Sequence, residues 1–212
     1  MAPLTRADYF APMIEPAREA PSSGRSKGRF LASSTRIHMI LAAHAPHITS
    51  QNATALEIGC GNGQIAMALK ERFGLKMECA DITNLLQHDL PFHLITNERL
   101  EFAKDKQYDY AFLNDVLHHI PSAAQLSVVK EAVRVSKTLL IFETRPTIRA
   151  KVLDVVMNYL VYKGKEVVTL THRDPENWRA LISGAGLSCT VKVLPQPLFY
   201  YPLHHLSAVV TS

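Results

Sequence analysis

The sequence predicts an α/β fold: a seven-stranded, mostly parallel sheet with an antiparallel last strand and helices on both faces. Two observations carry this prediction. Short apolar runs alternate with longer runs of helical periodicity, which is the pattern of strand–helix–strand units. A glycine-rich turn joins the first apolar run to the helical run that follows it, as in sheets that bind nucleotide-type ligands at the carboxyl ends of their strands.

The predicted elements alternate along most of the chain. Strands are predicted near residues 54–58, 76–80, 93–96, 108–113, 138–142, 187–194 and 203–210. Helices are predicted near residues 30–46, 63–73, 121–135, 147–163 and 174–184. Parallel strands need crossover connections, and the helices between these strands supply them. The last two strands are separated by a proline-containing turn region, so we expect them to pair as an antiparallel hairpin.

Length and composition fit one globular domain. The 212 residues are 47% hydrophobic and 20% charged, which is ordinary for such a protein. We expect residues 1–29 to form an N-terminal tail or lid and residues 30–212 to form the domain. The net charge of +4 is too small to indicate a nucleic-acid-binding face.

The cysteines indicate whether the protein binds metal and in which compartment it functions, and the apolar runs indicate whether it spans a membrane. The three cysteines have no spacing typical of a metal site or a disulfide framework, so we expect no metal and a reducing, cytoplasmic location. No apolar run reaches the ~18 residues of a membrane span. The sequence therefore predicts neither a zinc site nor a membrane-spanning helix.

The most informative stretch is the turn after the first predicted strand, where Gly59, Gly61 and Gly63 alternate with other residues. Glycine is needed where φ must be positive or where a ligand lies against the backbone. The helix that follows offers free N–H groups and the positive end of its dipole. A dinucleotide fingerprint would place its third glycine three residues after the second, and here Gln64 occupies that position. The turn predicts a nucleotide-type cofactor site and disfavours an NAD(P)-dependent oxidoreductase.

Asp81 stands at the end of the second predicted strand. An acidic residue in this place can accept hydrogen bonds from both hydroxyls of a ribose. The alternative is a solvated aspartate that caps a helix over residues 82–88. Glu78, within the strand, is the weaker ribose candidate.

The glycine turn and the segments after it resemble the class I S-adenosylmethionine-dependent methyltransferases. Residues 57–63, with the pattern E-x-G-x-G-x-G, resemble the first motif of the family. Residues 108–119 resemble its fourth strand and following loop, in the version typical of small-molecule methyltransferases related to the ubiquinone and menaquinone enzymes. Residues 132–143 and 176–187 resemble later segments. This resemblance implies a Rossmann-like fold, with S-adenosylmethionine as the cofactor.

The resemblance also implies the residues that contact the cofactor. They are Glu57, Gly59, Cys60, Gly61, Gly63, Asp81, Ile82, Asn97, Glu98 and Asn114. Asp81 inherits the ribose role, and Asn114 is expected beneath the sulfonium and amino acid portion. The family's usual Asp-Ala after the third strand is missing here, so Asn97 is favoured for adenine and Glu98 is the alternative.

His118 and His119 are the candidate catalytic residues. In the family, the transferred methyl group emerges near the loop after the fourth strand, where these two residues lie. Histidine is the usual general base at neutral pH. The alternative is that one ring packs against the protein or caps a helix. His204 and His205, whose side chains alternate across the last strand, are weaker candidates.

The sequence therefore predicts methyl transfer from S-adenosylmethionine to an oxygen, nitrogen or carbon atom of a small-molecule acceptor. The alternatives are an RNA or protein methyltransferase and a non-catalytic S-adenosylmethionine-binding subunit. The N/D-P-P-Y motif typical of adenine or glutamine N-methylation is absent, because residues 114–117 read Asn-Asp-Val-Leu. A non-catalytic subunit is expected to lose the glycines or the ribose acid, and both are present.

Overall fold

The computed structural model describes residues 24–97, 99–147, 171–196 and 203–212, with side chains from residue 34 onward. This part of the chain contains seven strands and four α-helices. The strands are β1 (Thr54–Ile58), β2 (Lys76–Asp81), β3 (Phe92–Leu94), β4 (Tyr108–Asn114), β5 (Ser136–Thr144), β6 (Ser188–Val193) and β7 (His205–Thr211). The helices are α1 (Gly24–His44), α2 (Gln64–Phe73), α3 (Gln125–Val135) and α4 (Pro175–Ser183).

All seven strands form one sheet in the order β3-β2-β1-β4-β5-β7-β6. β1 to β5 run parallel to one another, whereas β7 runs antiparallel to both β5 and β6. The predicted α/β fold with its antiparallel last strand is confirmed. The chain passes outward from β1 to β3 and then returns to the other side of β1 for β4. The sheet therefore has a topological switch point between β1 and β4, where α/β sheets hold their ligands.

Alternating residues of the central strands fill a layer on each face of the sheet. On one face, Leu56 and Leu139 share an apolar cluster with Val129 of α3. On the other face, Phe112 shares a cluster with Leu69 of α2. All five side chains are fully buried. Because both faces are covered, the central strands are apolar along their whole length.

Two predicted helix starts and one alternative helix differ from the structure. The helix predicted from residue 30 begins at Gly24, and the arginine and lysine between residues 24 and 29 are good helix formers; the expectation that residues 1–29 form a tail or lid stays a prediction. Pro121 starts a turn, in which its carbonyl oxygen accepts the N–H groups of Ala124 and Gln125, and α3 begins only at Gln125. Residues 82–88 form no helix, which excludes the helix-cap role for Asp81.

Two further expectations concern the helix predicted over residues 147–163 and the predicted lack of a membrane-spanning helix. The helix predicted over residues 147–163 falls almost entirely outside the described residues. Among the helices that are described, none combines the length and apolar character needed to cross a membrane.

Gln125 joins three segments at the buried start of α3. Its side-chain amide nitrogen donates to the carbonyl oxygen of Leu117 (2.8 Å) and to the carbonyl oxygen of Thr171 (2.9 Å). Its side-chain oxygen accepts a hydrogen bond from Nε of Arg173 (2.5 Å). Gln125 is fully buried, so its removal would break these bonds at a position where water has little access.

We expect Gln125→Met, which keeps the side-chain length but removes these bonds, to lower the free energy of unfolding by about 2 kcal/mol. Urea unfolding of both proteins measures this difference. Gln87→Met, at an exposed position, is the matched control and should change the value by less than about 0.5 kcal/mol. Equal, small changes in the two variants would contradict the role given to Gln125.

Candidate functional site

The turn after β1 holds three glycines in left-handed backbone conformations, with φ of 76° at Gly59, 53° at Gly61 and 77° at Gly63. A Cβ atom at Gly59 would lie 2.6 Å from Val116, and one at Gly63 would lie 2.4 Å from Leu86. A Cβ atom at Gly61 would meet nothing within 4 Å. The turn is therefore packed by protein at two glycines and open at Gly61, where the bare backbone faces a cavity.

This cavity of about 850 Å³ lies at the carboxyl ends of β1, β2 and β4. Its volume falls in the range of roughly 300–1,000 Å³ that is typical of small-ligand sites. The polar side chains that line it are Asp81, Thr83, Thr96, Asn97, Asp115, His119 and Glu131. The remaining lining is apolar or glycine, and no Lys or Arg is present among the described lining residues.

The structure brings together part of the site predicted from the sequence. The predicted residues that line the cavity are Gly59, Gly61, Asp81, Ile82, Asn97 and His119. Those outside the lining are Glu57, Cys60, Gly63, Asn114 and His118, and Glu98 lies outside the described residues. Asp81 and Asn97 thus stand on one side of the glycine turn, with His119 on the other.

The Asp81 carboxylate is held at the cavity wall by two backbone N–H groups. One oxygen accepts a hydrogen bond from Gly61 (2.7 Å) and the other accepts one from Ile82 (2.7 Å). These bonds connect the turn after β1 to the end of β2 and fix the direction of the carboxylate. Each oxygen still has lone-pair capacity for a further donor, which is the property that a ribose contact requires.

A chain of three buried polar side chains lies outside the cavity lining. The Asn114 amide nitrogen donates to Glu57 (2.9 Å), and the Asn114 oxygen lies 2.8 Å from Nε2 of His44. Because an amide oxygen only accepts, Nε2 of His44 is the donor. The Asn114 side chain thereby joins β4 to β1 and α1, so its predicted contact with the cofactor stays a prediction. His44 is a member of this chain that the sequence did not indicate.

Burial shifts the pKa values at the two ends of this chain in opposite directions. It raises the pKa of Glu57 to about 7, even though the hydrogen bond from Asn114 acts in the other direction. It lowers the pKa of His44 to about 4. Near pH 6 the native chain therefore contains a mostly protonated Glu57 and a neutral His44, which is the uncharged state that a buried site favours.

These shifts have opposite consequences for stability. Between the ordinary carboxyl pKa of 4.5 and about 7, native Glu57 holds a proton that the unfolded chain has lost, so this contribution to stability decreases as the pH rises. Between about 4 and the ordinary histidine pKa of 6.5, unfolded His44 holds a proton that the native chain lacks, so that contribution increases with pH. The two trends largely cancel in the intact protein.

Glu57→Gln should reveal the histidine trend, because glutamine retains an acceptor for Asn114 but does not titrate. We compare the free energy of unfolding of the variant with that of the original protein. As the pH rises from about 5 to about 7.5, we expect this difference to change by about 2 kcal/mol in favour of the variant. Urea unfolding at both pH values measures this gain. Glu71→Gln, at an exposed position on α2, should leave the difference independent of pH. A pH-independent difference for Glu57→Gln would show that its carboxyl titrates normally.

A second buried carboxylate, Glu143 at the end of β5, anchors the loop after β4. One of its oxygens accepts the N–H groups of Val116 (2.9 Å) and Leu117 (2.6 Å), and the other lies 2.7 Å from Nδ1 of His118. The His118 ring is buried, whereas His119 is exposed and lines the cavity. The structure therefore separates the two predicted catalytic histidines into a supporting residue and a cavity residue.

Asp115 lines the cavity across the glycine turn from Asp81, and the sequence analysis did not select it. Its side-chain oxygens accept a hydrogen bond from Thr144 (3.2 Å) and lie 3.6 Å from Nε of Arg36. Burial alone would raise the pKa of this carboxyl. The Arg36 guanidinium and the His205 ring outweigh that effect and hold the pKa of Asp115 below its usual range. The available sequence signal was a charged residue directly after an apolar strand.

Asp115, His118 and Glu143 also place one possible metal ligand each within 4.8 Å of one another. Glu143 already accepts three hydrogen bonds, and Arg36 offsets the charge of Asp115. A cation here would have to displace these contacts. The group is better explained as hydrogen-bonded support for the loop, and the absence of a metal site stays a prediction.

His205, one of the weaker catalytic candidates, is buried on β7. Its ring stacks on Phe142, with 4.6 Å between the ring centroids. Burial lowers the pKa of His205 to about 4. It lies outside the cavity lining, close to Thr144 (3.4 Å), and it acts on the charge of Asp115.

The fold and the site together define an α/β protein that binds a nucleotide-type cofactor at the switch point of its sheet. A family model described as a methyltransferase domain matches residues 31–190, and the chain belongs to this family. The sequence is 26% identical over 141 residues to the tRNA U34 carboxymethyltransferase of Nautilia profundicola. This similarity covers 60% of the chain but only 45% of that relative, so the chain spans less than half of the relative's length.

Solved structures show the same fold. An S-adenosylmethionine-dependent methyltransferase of Methanosarcina mazei has a TM-score of 0.58 at 18% identity, over 79% of this chain and 96% of its own. Magnesium protoporphyrin IX methyltransferase of Synechocystis PCC 6803, with bound S-adenosylhomocysteine, has a TM-score of 0.62 at 16% identity, over 97% and 94%. These structures show a Rossmann-like fold, and the family match shows that the chain carries a methyltransferase domain, which agrees with the predicted S-adenosylmethionine-dependent methyltransferase.

Proposed function

We propose that this methyltransferase acts on a small-molecule acceptor that binds in the cavity beside the glycine turn. The observation that carries the proposal is the cavity lining, in which the charged residues are Asp81, Asp115 and Glu131. Sites for nucleic acid place Lys and Arg along the phosphate path, and the described lining residues include neither. A mostly apolar lining with a few convergent polar groups is typical of small-ligand sites.

The residues present fit S-adenosylmethionine, which supplies a methyl group on a positively charged sulfur atom. The bare backbone at Gly61 leaves room for the methionine portion. The Asp81 carboxylate, already oriented by two N–H groups, would accept the ribose hydroxyls. Ile82 is 75% exposed and would cover the apolar side of the nucleoside. Asn97 is our proposed adenine contact, with Glu98 as the alternative.

His119 is our proposed general base, because it is the histidine that reaches the cavity. Its role would be to accept a proton from the acceptor as the acceptor is methylated. His118 packs against it, with 4.0 Å between the ring centroids, and is itself bonded to Glu143. We assign His118 a positioning role, in which it orients His119 without contacting the acceptor.

A second candidate function is the modification of RNA. The observation that favours it is the similarity to a tRNA U34 carboxymethyltransferase. The described cavity lining argues against it, because it offers no Lys or Arg to a phosphate.

The position of the cofactor can be tested with Gly61→Val, which places a side chain in the open cavity. We expect this variant to lose at least about tenfold in affinity for S-adenosylhomocysteine, measured by isothermal titration calorimetry, because the added side chain would occupy ligand space. Gly186→Val is the matched control: Gly186 also has a positive φ (80°) and open space around its Cβ position, but it lies outside the cavity lining. Normal binding by Gly61→Val would contradict the proposed path of the cofactor.

The class of acceptor can be tested by incubating the protein with methyl-labelled S-adenosylmethionine and a whole-cell extract. After separation into small molecules, RNA and protein, we expect the label in the small-molecule fraction. Gly61→Val serves as the control for label that other enzymes transfer. Label that depends on the protein but appears in the RNA fraction would support the second candidate and overturn the first.

A further inference from the structure

Asp115 lies on the opposite side of the proposed cofactor site from Asp81. The strand order places β2 on one side of β1 and β4 on the other. Asp81 ends β2, and Asp115 directly follows β4, so the two carboxylates line the same cavity from opposite sides of the glycine turn. If Asp81 binds the ribose, a ligand that continues along Gly61 passes towards Asp115. The reacting end of the ligand therefore lies on the Asp115 side.

The Asp115 carboxylate is held in a fixed position there. Its backbone N–H donates to the carbonyl oxygen of Phe142 (2.8 Å), and its side chain is bonded to Thr144 and paired with Arg36. Its φ of 55° lies in the left-handed region, which Asp enters more readily than most residues and where non-glycine residues cluster at functional sites. Several contacts thus maintain a strained residue in the wall of the cavity.

Asp115 is the member of its ion pair that borders the ligand space, because Asp115 belongs to the cavity lining and Arg36 does not. Arg36, at 3.6 Å, offsets part of the carboxylate charge. The Asp115 side chain is only 9% exposed, and in such a partly dehydrated place the remaining field of a fixed charge is stronger than in water.

We propose that Asp115 is a specificity-determining residue, whose carboxylate faces the reacting centre and selects acceptors that present an N–H or O–H group. This inference rests on the proposed function, because it concerns the acceptor side of the same cavity. An ionised carboxylate accepts hydrogen bonds from an amine or a hydroxyl group and repels a carboxylate or a phosphate. The acceptor class is therefore an amine or an alcohol, which binds through its N–H or O–H group and attacks through a lone pair as His119 accepts its proton, rather than an organic acid methylated on its carboxylate.

The charge at this point can be measured without knowing the acceptor. S-adenosylhomocysteine has a neutral sulfur atom at the reacting position, whereas sinefungin has an ammonium-bearing carbon there. We expect Asp115→Asn to lower the affinity for sinefungin relative to that for S-adenosylhomocysteine by about tenfold, through loss of a charge-assisted contact. Isothermal titration calorimetry of both ligands gives this ratio. Asparagine tolerates a positive φ and retains an acceptor for Thr144, so the variant mainly removes charge.

Arg36→Gln is the control for the structural role of the ion pair. It breaks the contact with Asp115 but leaves the carboxylate in the lining, so the ratio should be retained or increased. An unchanged ratio in Asp115→Asn, or an equal decrease in Arg36→Gln, would overturn the inference. If neither ligand bound the original protein, the cofactor site itself would be wrong and the inference would be overturned with it. Neither binding result depends on whether the acceptor is a small molecule or RNA.

Discussion

The hydrogen bond from the Gly61 N–H to the Asp81 carboxylate connects the two parts of the chain on which the site depends. It joins the turn after β1 to the end of β2 across only 2.7 Å. The parallel pairing of these strands, with Ile58 opposite Ala80, brings their carboxyl ends to the same edge of the sheet. The left-handed backbone at Gly61 then points its N–H at Asp81 while leaving the cavity side bare. Strand register, backbone conformation and ligand space are thus set together.

Two buried carboxylates stabilise the loops from positions outside the cavity. Glu57 is bonded to Asn114, which in turn contacts α1 through His44. Glu143 is bonded to the loop after β4 and to His118. The Glu143 network holds loop backbone in place, whereas the Glu57 network joins β1, β4 and α1 through side chains, and both lie where water competes little. The loop residues that would contact the ligand are therefore held in place by buried hydrogen bonds beneath them.

The two networks differ in the partners of their carboxyl groups. Burial raises the pKa of Glu57 to about 7, and its side-chain hydrogen-bond partner is the neutral amide of Asn114. Glu143 instead accepts hydrogen bonds from two backbone N–H groups and lies 2.7 Å from an imidazole nitrogen of His118. The first network therefore joins strands to a helix, whereas the second holds the backbone of the loop after β4.

The parts of the site that depend on local sequence were predictable. The three glycines and Asp81 belong to short motifs whose geometry follows from backbone conformation and strand ends, and the structure places Gly61 and Asp81 in the cavity. The partners of Asn114 and His118 were not predictable in this way. His44 is 70 residues from Asn114 along the chain, and Glu143 is 25 residues from His118. Only the folded sheet shows that Asn114 is bonded away from the cavity and that Asp115 lines it.

The fold was also predictable from local sequence. The errors in the predicted helix starts have a local cause as well. Alternating strands and helices determine the sheet, whereas helix ends depend on turn hydrogen bonds. The carbonyl oxygen of Pro121 accepts the N–H of Ala124 in a tight turn (2.8 Å) more closely than that of Gln125 (3.2 Å), and the regular helix begins only at Gln125. The antiparallel β7, inserted between β5 and β6, agrees with the expected hairpin and adds a strand order that apolar patterns alone do not determine.

The central claim is that a sulfur-containing nucleoside lies along the glycine turn, between Asp81 and Asp115. A crystal structure of the complex with S-adenosylhomocysteine tests it most directly. The account predicts electron density for the ribose hydroxyls within hydrogen-bond distance of Asp81, and for the sulfur atom on the Asp115 side of Gly61. Density for the ligand outside this cavity, or with its ribose at Asp115, would contradict the account.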